Sequence, residues 1–473
     1  MPVKLDTAVK VKRSGGTVYI KTLAKWPGFF IGLISILLSK ESYMLDIKLV
    51  RENPDRIKKA VEDRQMKEVD VDGLLKADAS YIDLLTRVET HRALKNKLSS
   101  DISKVDKDVR EKLIKEATGV KEELVKMEEE LGMLEEKRNT LLKSLPNIIS
   151  EDVPFGESDA DNQVIREVGT PRKFDFEPKD HIDLGKELGL IDTEKSAEVV
   201  GSRFSYIMGD AARLQFALVS FVFDTLMNEK LIAKLAKKVG NPNTKPFIPV
   251  VPPVMVRQEV MEKMDRLEPR DERYLLEQDG LVLVGSAEHT MGPMHMGETL
   301  DDEDLPKRYV GYSTAFRREA GTYGKDTRGI LRVHQFDKLE MESFTTPENG
   351  MLEQDLYVAI QEYIVQKLEI PYQVVMISTG DMGKPDFRQI DINCWMPGQK
   401  GYRETHTSDY MTDFQARRLG IRYKKGGFVY MNDATALAIG RALIAIIENH
   451  QQKDGSIKIP KALHKYMGKK VIK

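Results

Sequence analysis

Two periodic seams run into each other between residues 81 and 145, and they restrict the fold more than any other stretch of the chain. Tyr81, Leu84, Val88, His91, Lys95, Leu98, Ile102 and Val105 recur at alternating steps of three and four. So do Leu113, Ala117, Val120, Leu124, Met127, Leu131, Leu134, Arg138, Leu141 and Leu145. That alternation is a coiled-coil seam, narrower than the apolar stripe of a globular helix. No proline interrupts it before Pro146, which stops the second helix. The seams meet near Val105–Val109 with no room for another element. They therefore predict two antiparallel helices of about 30 residues, each roughly 45 Å long, turning near Lys104–Asp108. Alone, such a hairpin reads as a dimerisation or scaffold device. Arg92, Lys95, Lys97, Lys104, Lys107, Arg110, Lys112 and Lys115 near the turn make phosphate binding the alternative, although Asp101, Asp106, Asp108 and Glu111 are interleaved.

Beyond the hairpin, Pro146–Gly169 is rich in Asp, Glu, Pro and Gly without a helical stripe, and reads as a linker. Helical patterns follow at Asp210–Lys238, Leu352–Leu368 and Ala434–Asn449. Short β-rich runs lie at Phe247–Val251, Tyr274–Leu276, Leu281–Val284, Gly329–Leu339, Tyr372–Ile377, Gln389–Trp395 and Gly427–Met431. Without regular βαβ alternation, the expected fold is α+β: a long antiparallel helical hairpin followed by an antiparallel sheet with flanking helices. The expected domains are 44–150 and 151–473, preceded by an extension over 1–43.

That extension carries seven basic residues (Lys4, Lys10, Lys12, Arg13, Lys21, Lys25, Lys40) and two acidic ones (Asp6, Glu41), with an uncharged run from Trp26 to Ser39. As a helix the run would reach about 21 Å, short of a ~30 Å hydrocarbon core. No A-x-A cleavage site follows it. Three readings stay open: translation starting at Met44, a membrane-surface or partner-binding extension, and an extra element on the body.

The charges nearly cancel, 73 Lys+Arg against 75 Asp+Glu, which excludes a globally basic nucleic-acid coat. Cys394 is the one cysteine, so neither an internal disulfide nor a CxxC zinc site is available, and a reducing, cytoplasmic compartment is expected. No membrane partner is expected. The motifs Gly-Lys-[Ser/Thr], HExxH, GxSxG and a GxGxxG after a strand are all absent.

The densest chemical text is Phe316–Met341, FRREAGTYGKDTRGILRVHQFDKLEM. Arg317 and Glu319 alternate as on a strand. A loop with Gly321, Gly324 and Gly329 returns through Arg332, Phe336 and Glu340, which share a face at steps of four. The result is a strand–loop–strand presenting two arginines, two carboxylates and an aromatic ring. A salt-bridged surface hairpin is the competing explanation, and the sequence pattern leaves both standing.

This block resembles motif 2 of the bacterial-type seryl-tRNA synthetases, a family of class II aminoacyl-tRNA synthetases. NDATALAIGRALIAIIENHQ (Asn432–Gln451) resembles motif 3, with Arg441 at its key arginine, and FIPVVPPVMV (Phe247–Val256) resembles the dimer-interface motif 1, with Pro253 at its proline. SRFSYIMGDAARL, TGDMG, DFQARR, QQKDGSIKIPKAL and the MLDIKLVRENPDRIKKA block at Met44 also match, so the likeness runs from Met44 to the C-terminus.

The resemblance implies a serine–tRNA ligase with ATP as substrate, Mg²⁺ as cofactor, and tRNA(Ser) as partner, working as a homodimer. It extends to tRNA(Sec) where a host has one. It implies that Arg317 holds the α-phosphate and the seryl carboxylate. Glu319 and Phe336 would place the adenine, and Arg332 and Arg441 the phosphates, with Arg318 also in the ATP site. Glu404, Thr405, His406 and Thr407 stand at the family's metal- and ATP-contacting Glu-x-Ser-Ser, with Glu404 and Thr407 as metal contacts. Ser286, Ala287 and Glu288 stand at the serine-binding Thr-x-Glu, and Glu340 and Thr435 would complete that pocket. Asp433 departs from the family's Asn-Gly-Ser or Asn-Asn-Thr by adding a negative charge. The hairpin would grip the tRNA. A synthetase-like ligase that loads a small amino acid onto a carrier protein is the alternative, though such relatives are expected to lack the hairpin.

Overall fold

A computed structural model of the chain describes residues 9–13, 16–20, 45–320 and 329–473. The chain divides into two compact units, Met1–Ser42 and Tyr43–Lys473. In the first, strands β1 (Val9–Arg13) and β2 (Gly16–Ile20) pair antiparallel. The run Trp26–Ser39 lies outside the described residues, as do Gly321 and Gly324.

The second unit opens with α1 (Ile47–Glu52) and α2 (Pro54–Asp63), then the hairpin of α3 (Val71–Ile102) and α4 (Lys107–Ser144). Asp70 caps α3 by accepting from the Gly73 amide at 2.8 Å. The turn falls at the expected place. Seam residues Leu84, Val88, Leu98, Val120, Leu124 and Met127 are buried, whereas Ile82, Leu94, Val109 and Ile114 off the seam are exposed. At its base the hairpin joins the body. Leu74, Leu142 and Leu145 share an apolar cluster with Val50, Ile57 and Phe414. The buried Asp78 is gripped by Arg51 at 2.5 Å and Arg138 at 2.7 Å.

The body is an eight-stranded sheet flanked by helices. Its strands are β3 (Gln163–Val168), β4 (Ile248–Val250), β5 (Lys307–Phe316), β6 (Gln335–Thr345), β7 (Tyr372–Met376), β8 (Arg388–Met396), β9 (Gly401–Thr412) and β10 (Tyr430–Ala438). They lie in the order β3-β7-β8-β9-β10-β6-β5-β4. Every neighbouring pair is antiparallel except β5 with β4. Helices α5 (His181–Glu187), α6 (Gly209–Leu226), α7 (Glu229–Lys238), α8 (Gly350–Lys367) and α9 (Ile439–Asn449) contribute to the main core with β6, β7, β8 and β10. Among the described residues no helix is long and apolar enough to cross a membrane.

Several expected boundaries move. Asp210–Lys238 is two helices: the first ends at Leu226, and Asn228 caps the next by accepting from the Leu231 amide at 3.0 Å. The first part of the pattern at Ala434–Asn449 is strand β10, and α9 starts at Ile439. Gly329–Leu339 becomes a strand only from Gln335 and continues to Thr345. The linker is not all loop, since Gln163–Val168 adds an edge strand to the sheet. Strand β9 had no sequence signal, because GYRETHTSDYMT is a polar run with no apolar alternation. Its burial comes from neighbours on both sides.

Candidate active site

Two bulges in the central strands set the site. In β9, Ile392 pairs with His406 and Asn393 with Glu404, so Thr405 is an extra residue. In β10, Leu339 pairs with Leu437 and Glu340 with Thr435, so Ala436 is the extra one. An unbroken strand turns residues three apart to opposite faces; an inserted residue returns them to one face. Glu404 and Thr407 on β9, and Thr435 and Ala438 on β10, thus line a single cavity of about 260 Å³. Past Ser408 and Ala434 the two strands no longer pair. Gln361 of α8 fills the gap, its amide donating to the Thr407 carbonyl at 2.7 Å and the Thr435 carbonyl at 2.9 Å.

Arg317, Glu319, Arg332, Phe336, Glu404, Thr405, Thr407, Thr435 and Arg441 all line this cavity. Strand β5 ends at Phe316, so Arg317 and Glu319 do not alternate along a strand; they stand on the loop that follows, with Glu319 in a left-handed conformation (φ 51°). Arg317 donates to the Gly285 carbonyl at 3.1 Å and lies over the Phe336 ring, 5.4 Å from its centroid. Glu319 pairs with Arg332 at 2.6 Å, and Arg441 with Glu404 at 2.8 Å. The Glu404 side chain is 52% exposed; desolvation in the cavity works to raise its carboxyl, but Arg441 and Arg317 hold it below the usual range.

Gly329 ends the loop with φ +74°, and a Cβ there would come within 2.2 Å of His181 Nε2. The same Nε2 accepts from the Ile330 amide at 3.3 Å, and Nδ1 donates to the buried Glu448 at 2.8 Å. The segment leading back to β6 is thereby anchored to α5 and α9.

A second, buried group of side chains lies behind the cavity. Ser286 Oγ donates to Glu340 at 3.1 Å, and Lys338, which also lines the cavity, pairs with Glu340 at 2.5 Å. Glu288, Glu340 and Asp433 bring carboxylate oxygens within 4.8 Å of one another. Burial raises Glu340, with Glu288 adding to it and Lys338 opposing. Ser286, Ala287, Glu288 and Glu340 therefore back the cavity without lining it. His406 and Arg318 are not among the lining residues either. His406 is buried with Nδ1 2.8 Å from Thr405 Oγ1, and burial lowers its imidazole to about 3. The Arg318 guanidinium lies 5.7 Å from the centre of the Tyr274 ring.

Sequence reasoning missed Lys338, Gln389, Asp391 and Asp409 in the cavity wall. Lys338 was legible, since Phe336, Lys338 and Glu340 alternate at steps of two. Gln389 and Asp391 alternate in the same way on β8. Glu404, Asp391 and Thr407 offer only hard oxygen donors to one wall, a set that fits Mg²⁺. A larger groove of about 790 Å³ lies elsewhere, but its arginines are already paired, Arg166 with Glu362 and Arg388 with Asp152.

The sheet, antiparallel except for β4 with β5, carries a strand–loop–strand with arginines over a carboxylate-lined cavity, and its match to a family model makes it the catalytic core of a class II aminoacyl-tRNA synthetase. Residues 274–450 match the tRNA synthetase class II core domain (G, H, P, S and T), and residues 44–149 the seryl-tRNA synthetase N-terminal domain. The serine–tRNA ligase of Thermobifida fusca (strain YX) is 40% identical over 434 residues, covering 91% of this chain and 99% of the relative. That of Dictyoglomus turgidum is also 40% identical, covering 90% and 98%. The seryl-tRNA synthetase of Pyrococcus horikoshii, crystallised with ATP, superposes with a TM-score of 0.83 at 37% identity, covering 90% of this chain and 99% of that one. The cytoplasmic enzyme of Naegleria fowleri, crystallised with AMP, gives 0.80 at 31%, covering 91% and 98%. The chain belongs to the seryl-tRNA synthetase family.

Proposed function

We propose that the chain activates L-serine with ATP to seryl-adenylate, releasing pyrophosphate, and then transfers the seryl group to the terminal ribose of tRNA(Ser), releasing AMP. The observation that carries this reading is the convergence of Arg317, Arg332 and Arg441 on one cavity backed by Ser286, Glu288 and Glu340. A serine carboxylate is ionised at neutral pH, so attack on the α-phosphorus needs no general base. Two anions must be aligned and their repulsion cancelled. Guanidinium groups suit both phosphate and carboxylate. Arg317, between Phe336 and the Gly285 carbonyl, stands where it can hold both reactants, while Arg332 and Arg441 take the phosphates. Each is now held by a carboxylate, Glu319 or Glu404, that a nucleotide would displace or share. Phe336 offers a face for the adenine. Glu404 and Thr407, with Asp391 beside them, would hold Mg²⁺, which supplies further neutralisation of phosphate charge when bound.

Glu288 and Glu340 suit an ammonium and a hydroxyl donor, with Ser286 and Thr435 adding hydroxyls. A pocket built to bond the serine hydroxyl is left with unpaired buried groups when alanine enters, which discriminates by roughly 10⁴–10⁵-fold. The hairpin holds the tRNA, with tRNA(Sec) a second substrate where present. A homodimer built around Phe247–Val256 is supported by the open sheet end at β4, where Ile248 is 54% and Val251 81% exposed. A cytoplasmic location agrees with the single cysteine, Cys394, which is buried and free. Carrier-protein loading is not favoured. ATP–pyrophosphate exchange across the twenty amino acids, without tRNA, tests the reading. Serine alone should support exchange; exchange with another amino acid and not serine would defeat it.

A further inference from the structure

We infer that Arg266 is a positioning residue of the amino-acid pocket: its guanidinium, shared between Glu288 and Asp433, fixes Glu288 as the acceptor for the substrate's ammonium group. This inference rests on the proposed assignment of Glu288 and Glu340 to that pocket. It gives a role to the acidic residue that stands at 433 in the motif-3-like stretch.

Glu288, Glu340 and Asp433 crowd three carboxylates within 4.8 Å, and like charges this close do not all ionise unless cations are interposed. Lys338 serves Glu340 at 2.5 Å. Arg266 pairs by charge with the other two, its Nε 2.9 Å from Glu288 without hydrogen-bond geometry and its Nη2 3.8 Å from Asp433. Its side chain is 17% exposed, while those of Glu288 and Asp433 are 11% and 2% exposed. Arg266 is thus a largely enclosed bridge between two acids on different elements, and neither contact reaches the nucleotide cavity.

The electrostatics divide the pair. Burial raises the Asp433 carboxyl well above its ordinary value, Glu288 and Asp409 adding to it and Arg266 opposing. Burial would do the same to Glu288, but Arg266, His289 and Lys338 outweigh it and hold that carboxyl well below its ordinary value. Glu288 is therefore the carboxyl of the trio that is held low, and Arg266 is the largest of the influences that lower it. The Asp433 Oδ1 oxygen is buried without a hydrogen-bond partner.

The test compares the full chain with Arg266→Met, Arg266→Lys, Asp433→Asn and the Arg266→Met/Asp433→Asn double variant in ATP–pyrophosphate exchange, following each melting temperature. Arg266→Met should raise the KM for serine about tenfold or more, with the KM for ATP changed less than about threefold. Arg266→Lys should recover a large part of that loss. Asp433→Asn should shift the serine KM less than about threefold, and the double variant should be no worse than Arg266→Met alone, because the two residues act through one contact. If Arg266→Met does not fold, Arg266→Lys decides: a several-fold rise in serine KM in a folded protein supports the role. Unchanged serine KM in folded Arg266 variants, or equal losses for serine and ATP, would overturn it while leaving the serine-activation reading intact. No serine-dependent exchange by the unaltered chain would instead overturn that reading.

Discussion

Arg317 is the side chain on which the proposed chemistry depends most, because it lies against Phe336 and reaches the carbonyl that precedes Ser286. Arg317→Ala should lower pyrophosphate exchange about 10²–10³-fold, as loss of a single preorganised donor does elsewhere. Near-normal exchange would remove it from the phosphates. Asp78 makes a separate prediction about stability. Burial would raise its carboxyl, but hydrogen bonds from Arg51 and Arg138 prevail and hold it below its ordinary value. A carboxyl depressed on folding stabilises above its unfolded pKa of about 4, and that contribution is lost as pH falls through the folded value. Asp78→Asn should therefore cost on the order of 3 kcal/mol in urea unfolding at pH 7. The gap between variant and parent should narrow steadily below about pH 4; a gap constant with pH would refute the assignment.

At the scale of elements, the site depends on strands that are bulged and splayed. Glu404 shares the cavity face with Thr407, and Thr435 with Ala438, only because Thr405 and Ala436 are extra residues, and the carbonyls freed where β9 and β10 part are satisfied by Gln361. Gln361→Leu would leave two buried carbonyls unpaired, at about 1–3 kcal/mol each. Thermal unfolding should show that loss, and exchange should fall further than the melting temperature alone explains. An unchanged serine KM in Gln361→Leu would mean that the splay does not set the pocket. The bulges were not legible beforehand. A spacing of three between Glu404 and Thr407 suits a helix or a loop as well as a bulged strand, and β9 has no apolar alternation to decide. The failure at Arg317 and Glu319 has the same origin, since residues two apart share a face only while the strand continues.

For the whole molecule, the hairpin and the body are held together at the hairpin's base. Leu74, Leu142 and Leu145 pack with Phe414, and Asn147 donates to the Pro385 and Met411 carbonyls at 2.9 and 2.8 Å. A truncation should therefore keep the base. Replacing residues 92–123 with a short glycine–serine turn should spare serine-dependent exchange and reduce tRNA charging at least a hundredfold. Normal charging by that variant would exclude the hairpin from tRNA binding. The dimer proposed at β4 makes a further prediction: Val251→Asp should shift sedimentation towards the monomer, and an unchanged profile would place the interface elsewhere.

The hairpin, its turn and the α+β character of the body were determined by the sequence itself, because a seam at steps of three and four has one solution and each helix closes its own hydrogen bonds locally. Most of the residues that gather at the cavity could also be named from their motifs. Which of them line it and which stand behind it was decided by the tertiary structure. A strand acquires its partners, and a bulge its place, only from pairing with residues distant in the chain. The Arg266 bridge is of the same kind: its two acids come from Glu288 and Asp433, which only folding brings to one side chain.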